Sequence, residues 1–89
     1  MTAGAGPGAI RVTVRLFASY AEAAGRDTLE LSLAAGATAG DVLDAVRRES
    51  WASRVPPSPA VAVNRRYAGR ATVLNGGDEV AIIPPVAGG

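Results

Sequence analysis

Cysteine, histidine and lysine are all missing from this 89-residue chain. Without Cys or His there is no thiol nucleophile, no zinc site of the usual ligand type and no Ser-His triad, and no bound metal is expected. The lack of cysteine also excludes disulfides, which accords with a reducing compartment, so a cytoplasmic location is expected. Every basic residue is an arginine. No side-chain amine therefore exists for Schiff-base chemistry or for isopeptide attachment to the chain itself. Base-composition bias in an Ala-, Gly- and Arg-rich sequence accounts for the missing lysines, and the chemical consequence holds whatever the cause. Neither sign of charge dominates: the formal net charge is +1 and the arginines are scattered, so there is no electrostatic footprint for nucleic acid. No apolar run approaches the ~20 residues of a membrane span. Met1 to Ala9 has neither the basic segment nor the apolar core of a secretory signal.

What is present is concentrated at the end of the chain. Gly77-Asp78-Glu79-Val80-Ala81-Ile82-Ile83-Pro84-Pro85-Val86-Ala87-Gly88-Gly89 reads as a turn, a short strand, a proline pair and a tail almost without side chains. Val80 and Ile82 fall on one face of the strand, Ala81 and Ile83 on the other. Pro84 cannot donate to a sheet ladder, so the strand ends there. Extended, the segment from Pro84 to Gly89 could reach roughly 20 Å at ~3.3 Å per residue. Gly88 and Gly89 leave the terminal carboxylate without a shielding Cβ. A Gly-Gly end alone would be an ordinary frayed terminus. The stiff prolines after a core-type strand make the acyl group of Gly89 the presented reactive position.

Length allows one small domain, with residues 1–9 as a mobile small-residue leader, 10–83 as the folded body and 84–89 as the extended reactive tail. Ile10, Val12, Val14 and Leu16 alternate with Arg11, Thr13 and Arg15, which predicts a strand over 10–17 with one buried face. Phe17 is in the polar phase, either turned inward or left on the open face. Ala18 to Ala24 predicts a short helix stopped by Gly25. Leu29, Leu31 and Leu33 mark a second strand, antiparallel to the first. Thr38, with Asp41 three residues on, predicts a capped helix start. That helix runs to about Ser50, with Val42, Leu43 and Val46 inward and an Asp44–Arg48 ion pair on its outer face. Trp51 closes one end of the core. Val55 to Pro59 is a loop. Val61 and Val63 are the buried residues of a third strand, and Asn64 to Tyr67 turns into a short edge segment. Val73 and Leu74 return to the core before the Asn75-Gly76-Gly77-Asp78 turn. This order predicts an α+β fold, a mixed four- to five-stranded sheet around one main helix.

The order and the ending resemble the β-grasp, ubiquitin-like fold, and more narrowly the MoaD family, the small sulfur-carrier subunit of molybdopterin synthase, within the MoaD/ThiS superfamily. The stretches that carry the resemblance are Arg15-Leu16-Phe17-Ala18 with Glu22, the Thr38 helix start, Ala62-Val63-Asn64, and Leu74 through Gly89. Ala21 departs from the pattern, since the family often has Arg before the Glu, and the leader is an extension. The resemblance implies a carrier rather than a catalyst. An ATP-using, ubiquitin-activating-like adenylyltransferase of the MoeB type adenylates Gly89, a sulfur donor makes the thiocarboxylate, and the large subunit MoaE receives the tail. Sulfur then passes to cyclic pyranopterin monophosphate. No cofactor is bound by the chain itself, and ATP is used by the activating enzyme.

Phe17 and Ile83 are both out of phase with their buried neighbours, and Tyr67 lies on the edge segment between them in the chain. The three are expected to form an apolar patch on the open sheet face for MoaE and the activating enzyme, with Pro84, Pro85, Val86 and Ala87 entering the partner alongside Gly88 and Gly89. Asp78 and Glu79 either meet basic residues of a partner or serve the turn. Two other readings share the fold and the Gly-Gly end. One is a sulfur carrier for thiamine thiazole, cysteine or tRNA thiolation; the other is a ubiquitin-like modifier joined through Gly89 to lysines of other proteins.

Overall fold

The computed structural model describes residues 8–56 and 59–85. The expectations placed on the leader up to residue 7, and on Val86, Ala87, Gly88 and Gly89, lie outside the described residues. In chain order the elements are β1 (Ala9–Leu16), α1 (Ala18–Ala24), β2 (Thr28–Ala34), α2 (Ala39–Arg47), a 3₁₀ turn (Ser50–Arg54), β3 (Ala60–Val63), β4 (Arg66–Ala68) and β5 (Glu79–Ile83). The strands form one sheet in the order β2-β1-β5-β3-β4. β5 lies parallel to β1, and every other neighbouring pair is antiparallel.

Alternation along β1 sends Val12, Val14 and Leu16 to one face. Parallel pairing sets Val14 beside Val80 and Leu16 beside Ile82. Val61 of β3 continues the row opposite Ile82. Across this row α2 lays Val42, Leu43 and Val46, all buried, and Leu74 fills the space between loop and helix. Each such side chain is worth roughly 1.5–3 kcal/mol when fully buried. The core is therefore one layer between the sheet and α2, and among the described residues the other face of the sheet carries no helix. This is the β-grasp, ubiquitin-like arrangement. No helix among the described residues is long and apolar enough to cross a membrane.

Local signals set the element ends. Thr38 Oγ1 accepts from the Asp41 amide at 3.3 Å, and the Asp41 carboxylate accepts from the Thr38 amide at 2.9 Å, a complete capping box. Gly25 stops α1 in the left-handed conformation at φ 76°, its N–H donating to the carbonyls of Ala21 and Glu22.

Several expectations are corrected. Phe17 is not the last residue of β1 but the extended N-cap of α1, which swings its ring clear of the core. α2 stops at Arg47 rather than Ser50; Glu49 is extended, and Trp51 falls in the 3₁₀ turn, half-buried against the core end as expected. Val55, assigned to a loop, is buried, and so is Tyr20 of α1. Val73 is 60% exposed, because it pairs in an isolated bridge with Thr38 and the two-residue period then turns only Leu74 inward. Val63 is half-buried rather than buried. Asp44 pairs with Arg70 at 2.9 Å instead of Arg48, since the segment after β4 crosses the start of α2 and brings Arg70 alongside.

Candidate functional site

The bare sheet face contains a groove of about 330 Å³, lined on its apolar side by Phe17, Tyr67, Ile83, Ala62 and Ala81. Its depth comes from small residues. Ala62 on β3 pairs with Ala81 on β5, so the centre of the face carries only methyl groups. Tyr67 on β4 lies opposite Ala62 and stands 82% exposed. Phe17, 40% exposed, forms the facing wall beyond the end of β1. Ile83, half-buried, closes the end from which the chain leaves β5. Thus Phe17 and Ile83, singled out by their phase, and Tyr67, singled out by its place on the edge segment, share one concavity. β5 lies between β1 and β3, so the tail departs from the middle of the sheet, with Pro84 half-buried and Pro85 exposed.

The remaining lining is charged. Arg15 Nη1 contacts Glu79 Oε2 at 3.2 Å, and the same guanidinium carbon stands 5.5 Å from the centroid of the Phe17 ring. The Phe17 ring is thereby held by a cation–π contact as well as by the backbone of the α1 cap. Arg65 lies at the other rim. It is positioned by the Asn64-Arg65 hairpin, in which both residues have positive φ, 51° and 72°, the signature of a type I′ turn. Asn64 anchors that turn to the start of β5: its Oδ1 accepts from the Glu79 amide at 3.0 Å and its Nδ2 donates to Asp78 Oδ1 at 2.9 Å. Asp78 Oδ2 in turn accepts from the Asn75 amide at 2.8 Å. Asp78 is therefore committed to the turn and Glu79 to Arg15.

Sequence reasoning missed Arg15, Arg65 and the alanine floor. Arg15 was in the polar phase of β1 and so on the open face, but its partner is 64 residues away and depends on the parallel pairing of β1 with β5.

A five-stranded mixed sheet with α2 on one face and a groove on the other, beside which the chain leaves β5, defines the ubiquitin-like class of small proteins. The chain belongs to the ThiS family, whose sequence pattern matches residues 14–89. Small archaeal modifier protein 3 of Haloferax volcanii is 35% identical over 92 residues, spanning 90% of this chain and 100% of that protein. Among solved structures, SAMP1 from Haloferax volcanii superposes with a TM-score of 0.79 at 34% identity, over 89% of this chain and 99% of that one. A putative molybdopterin converting factor subunit 1 from Pyrococcus furiosus gives 0.74 at 27% identity, over 86% of this chain and 99% of that one. Subunit 1 of the Helicobacter pylori molybdopterin-converting factor, solved in complex with subunit 2, gives 0.69 at 20% identity over 90% of this chain and 100% of that one, and that likeness speaks to the fold alone.

These likenesses correct the expected function. Small archaeal modifier protein 3 and SAMP1 of Haloferax volcanii match nearly full length at 34–35% identity, whereas the molybdopterin-converting chains stand at 20–27%. The reading as the sulfur-carrier subunit of molybdopterin synthase is overturned; of the expected partners these likenesses show only a chain of the same fold solved with a second subunit, and they identify neither MoaE nor a MoeB-type enzyme. The physical reason is that activating a terminal glycine carboxylate is the same first step for sulfur transfer and for conjugation. A Gly-Gly tail behind a proline pair therefore cannot distinguish them.

Proposed function

We propose that this chain is a ubiquitin-like protein modifier, attached through the Gly89 carboxylate to lysine amines of target proteins. The observation that carries this reading is the full-length likeness to small archaeal modifier protein 3, in a chain whose family match runs through Gly89 itself. On an activating enzyme, a carboxylate oxygen of Gly89 attacks the α-phosphorus of ATP and pyrophosphate leaves. The free ε-amine of a target lysine then attacks the acyl carbon, AMP departs, and the nitrogen loses a proton to give the isopeptide. ATP is a substrate of the partner, and this chain supplies only the acyl end. The groove bounded by Phe17, Tyr67 and Ile83 is the surface by which the activating enzyme holds the body, while Pro84, Pro85, Val86 and Ala87 carry Gly88 and Gly89 into its active site.

A second reading, sulfur carriage to an acceptor outside molybdopterin synthesis, is favoured by membership of the ThiS family. One experiment separates the two. An affinity-tagged chain and a form lacking Gly89 are expressed in the source cells and isolated under denaturing conditions. The expected result is a set of larger proteins joined to the intact chain through Gly89 and none joined to the shortened one. Recovery of only the free chain, heavier by the exchange of one oxygen for sulfur, would support sulfur carriage and overturn the modifier reading.

A further inference from the structure

We infer that this modifier is a terminal mark: one unit is added per target lysine, and no further unit is built on it through a side chain. The inference rests on the modifier reading and concerns what the modifier's own body can accept. All nine basic residues are arginines. A guanidinium stays protonated and is no acyl acceptor under the conditions in which an ε-amine reacts.

The structure shows which arginines have internal work. Arg15 pairs with Glu79, Arg70 with Asp44 and Arg11 with Glu30, and Arg47 Nε donates to the Val55 carbonyl at 3.4 Å. Arg48 and Arg66 are different. Arg48 is exposed at the C-cap of α2, where any cation suits the helix end. Arg66 is exposed on the edge strand β4, opposite Val63, and by alternation lies on the other side of the hairpin from Tyr67 and the groove. Among the described residues nothing in either environment requires a planar guanidinium. The fold has room for acceptor amines on two separate faces, and the chain places none there. A protein that recognises such a mark must then read a single body and its groove, because no side-chain-linked array can form.

The test uses the full-length chain and its Arg48→Lys and Arg66→Lys variants, which keep charge and avoid the groove. Conjugates from the source cells are purified under denaturing conditions and digested with trypsin. The chain has no Lys or Arg after Arg70, so a modified lysine carries the whole segment from Ala71 to Gly89 as a branch, not a two-glycine remnant. For the natural chain, branched peptides are expected only on target proteins and none on the modifier's own sequence. Each variant should still modify targets, and at least one should gain a branch at the substituted position, with conjugates stepping up by whole modifier units. Branches on the natural chain's own side chains, through a hydroxyl, overturn the inference and leave the modifier reading standing. So does the absence of any new branch in both variants. If no branched target peptide appears with any form, it is the modifier reading that has failed.

Discussion

Tyr20 is an apolar choice of position for a polar atom. Only 2% of the residue is exposed, and its hydroxyl has no hydrogen-bond partner among the described residues. Burial pushes its pKa above the ordinary value. Removing an unsatisfied hydroxyl leaves the ring's packing intact, so Tyr20→Phe is expected to be neutral or to stabilise by up to about 1 kcal/mol in urea unfolding. The pH dependence has a definite sign. With the folded pKa raised, stability is fully present below the unfolded value of about 10 and is lost as pH rises through the folded one. Tyr20→Phe should remove that alkaline loss; an unchanged alkaline limb would place its origin elsewhere. Asp44 works in the opposite direction. The hydrogen bond from Arg70 holds its carboxyl below the usual range. Its contribution is present above the unfolded value of about 3.9 and vanishes as pH falls through the folded one. Unfolding midpoints of Asp44→Asn should thus lie below those of the natural chain at neutral pH and converge with them in acid.

At the scale of elements, the first turn of α2 is satisfied by the segment after β4 as well as by its own cap. The Ala39 amide donates to the Thr72 carbonyl and the Gly40 amide to the Arg70 carbonyl, each at 2.9 Å. That close approach explains Gly40: an added Cβ would stand 3.1 Å from the Arg70 carbonyl oxygen and 3.2 Å from its Cβ. Ala is the better helix former by about 1 kcal/mol, but crowding of this kind costs roughly 1–3 kcal/mol. Gly40→Ala should therefore destabilise by about 1 kcal/mol, and a raised unfolding midpoint would mean that the 70–72 segment yields freely. This contact was not legible in the sequence, because it joins residues thirty apart. Signals confined to a few residues were legible: the alternation of β1 and β2, the Thr38–Asp41 cap, the Gly25 stop and the phase of Phe17 and Ile83. What required the assembled sheet was not. Tyr20 sits in a seven-residue, alanine-rich helix with no apolar stripe to read, and Val73 was separated from Leu74 only by a bridge to Thr38.

For the whole molecule, the proposed function joins the groove to the Gly89 end through β5. Ile83 belongs to both, as the last residue of β5 and a wall of the groove. A partner that grips Phe17 and Tyr67 thereby fixes where the tail begins, and Pro84 limits the directions it can take. The groove should be separable from stability, since neither aromatic belongs to the buried core. Phe17→Asp and Tyr67→Asp are expected to leave the unfolding midpoint within about 0.5 kcal/mol of the natural chain, the usual range for surface changes. Truncating a central contact residue of an interface commonly costs more than about 1–2 kcal/mol of binding, so each variant should lower conjugate yield at limiting activating enzyme at least fivefold. The fivefold figure follows from RT of about 0.59 kcal/mol, by which about 1 kcal/mol of lost affinity is a factor near five. Saturating enzyme should restore the yield, because Gly89 is untouched. Two results would refute the assignment: a full yield at limiting enzyme, which would mean the partner grips another face, or a lost fold, which would mean the ring supports the core.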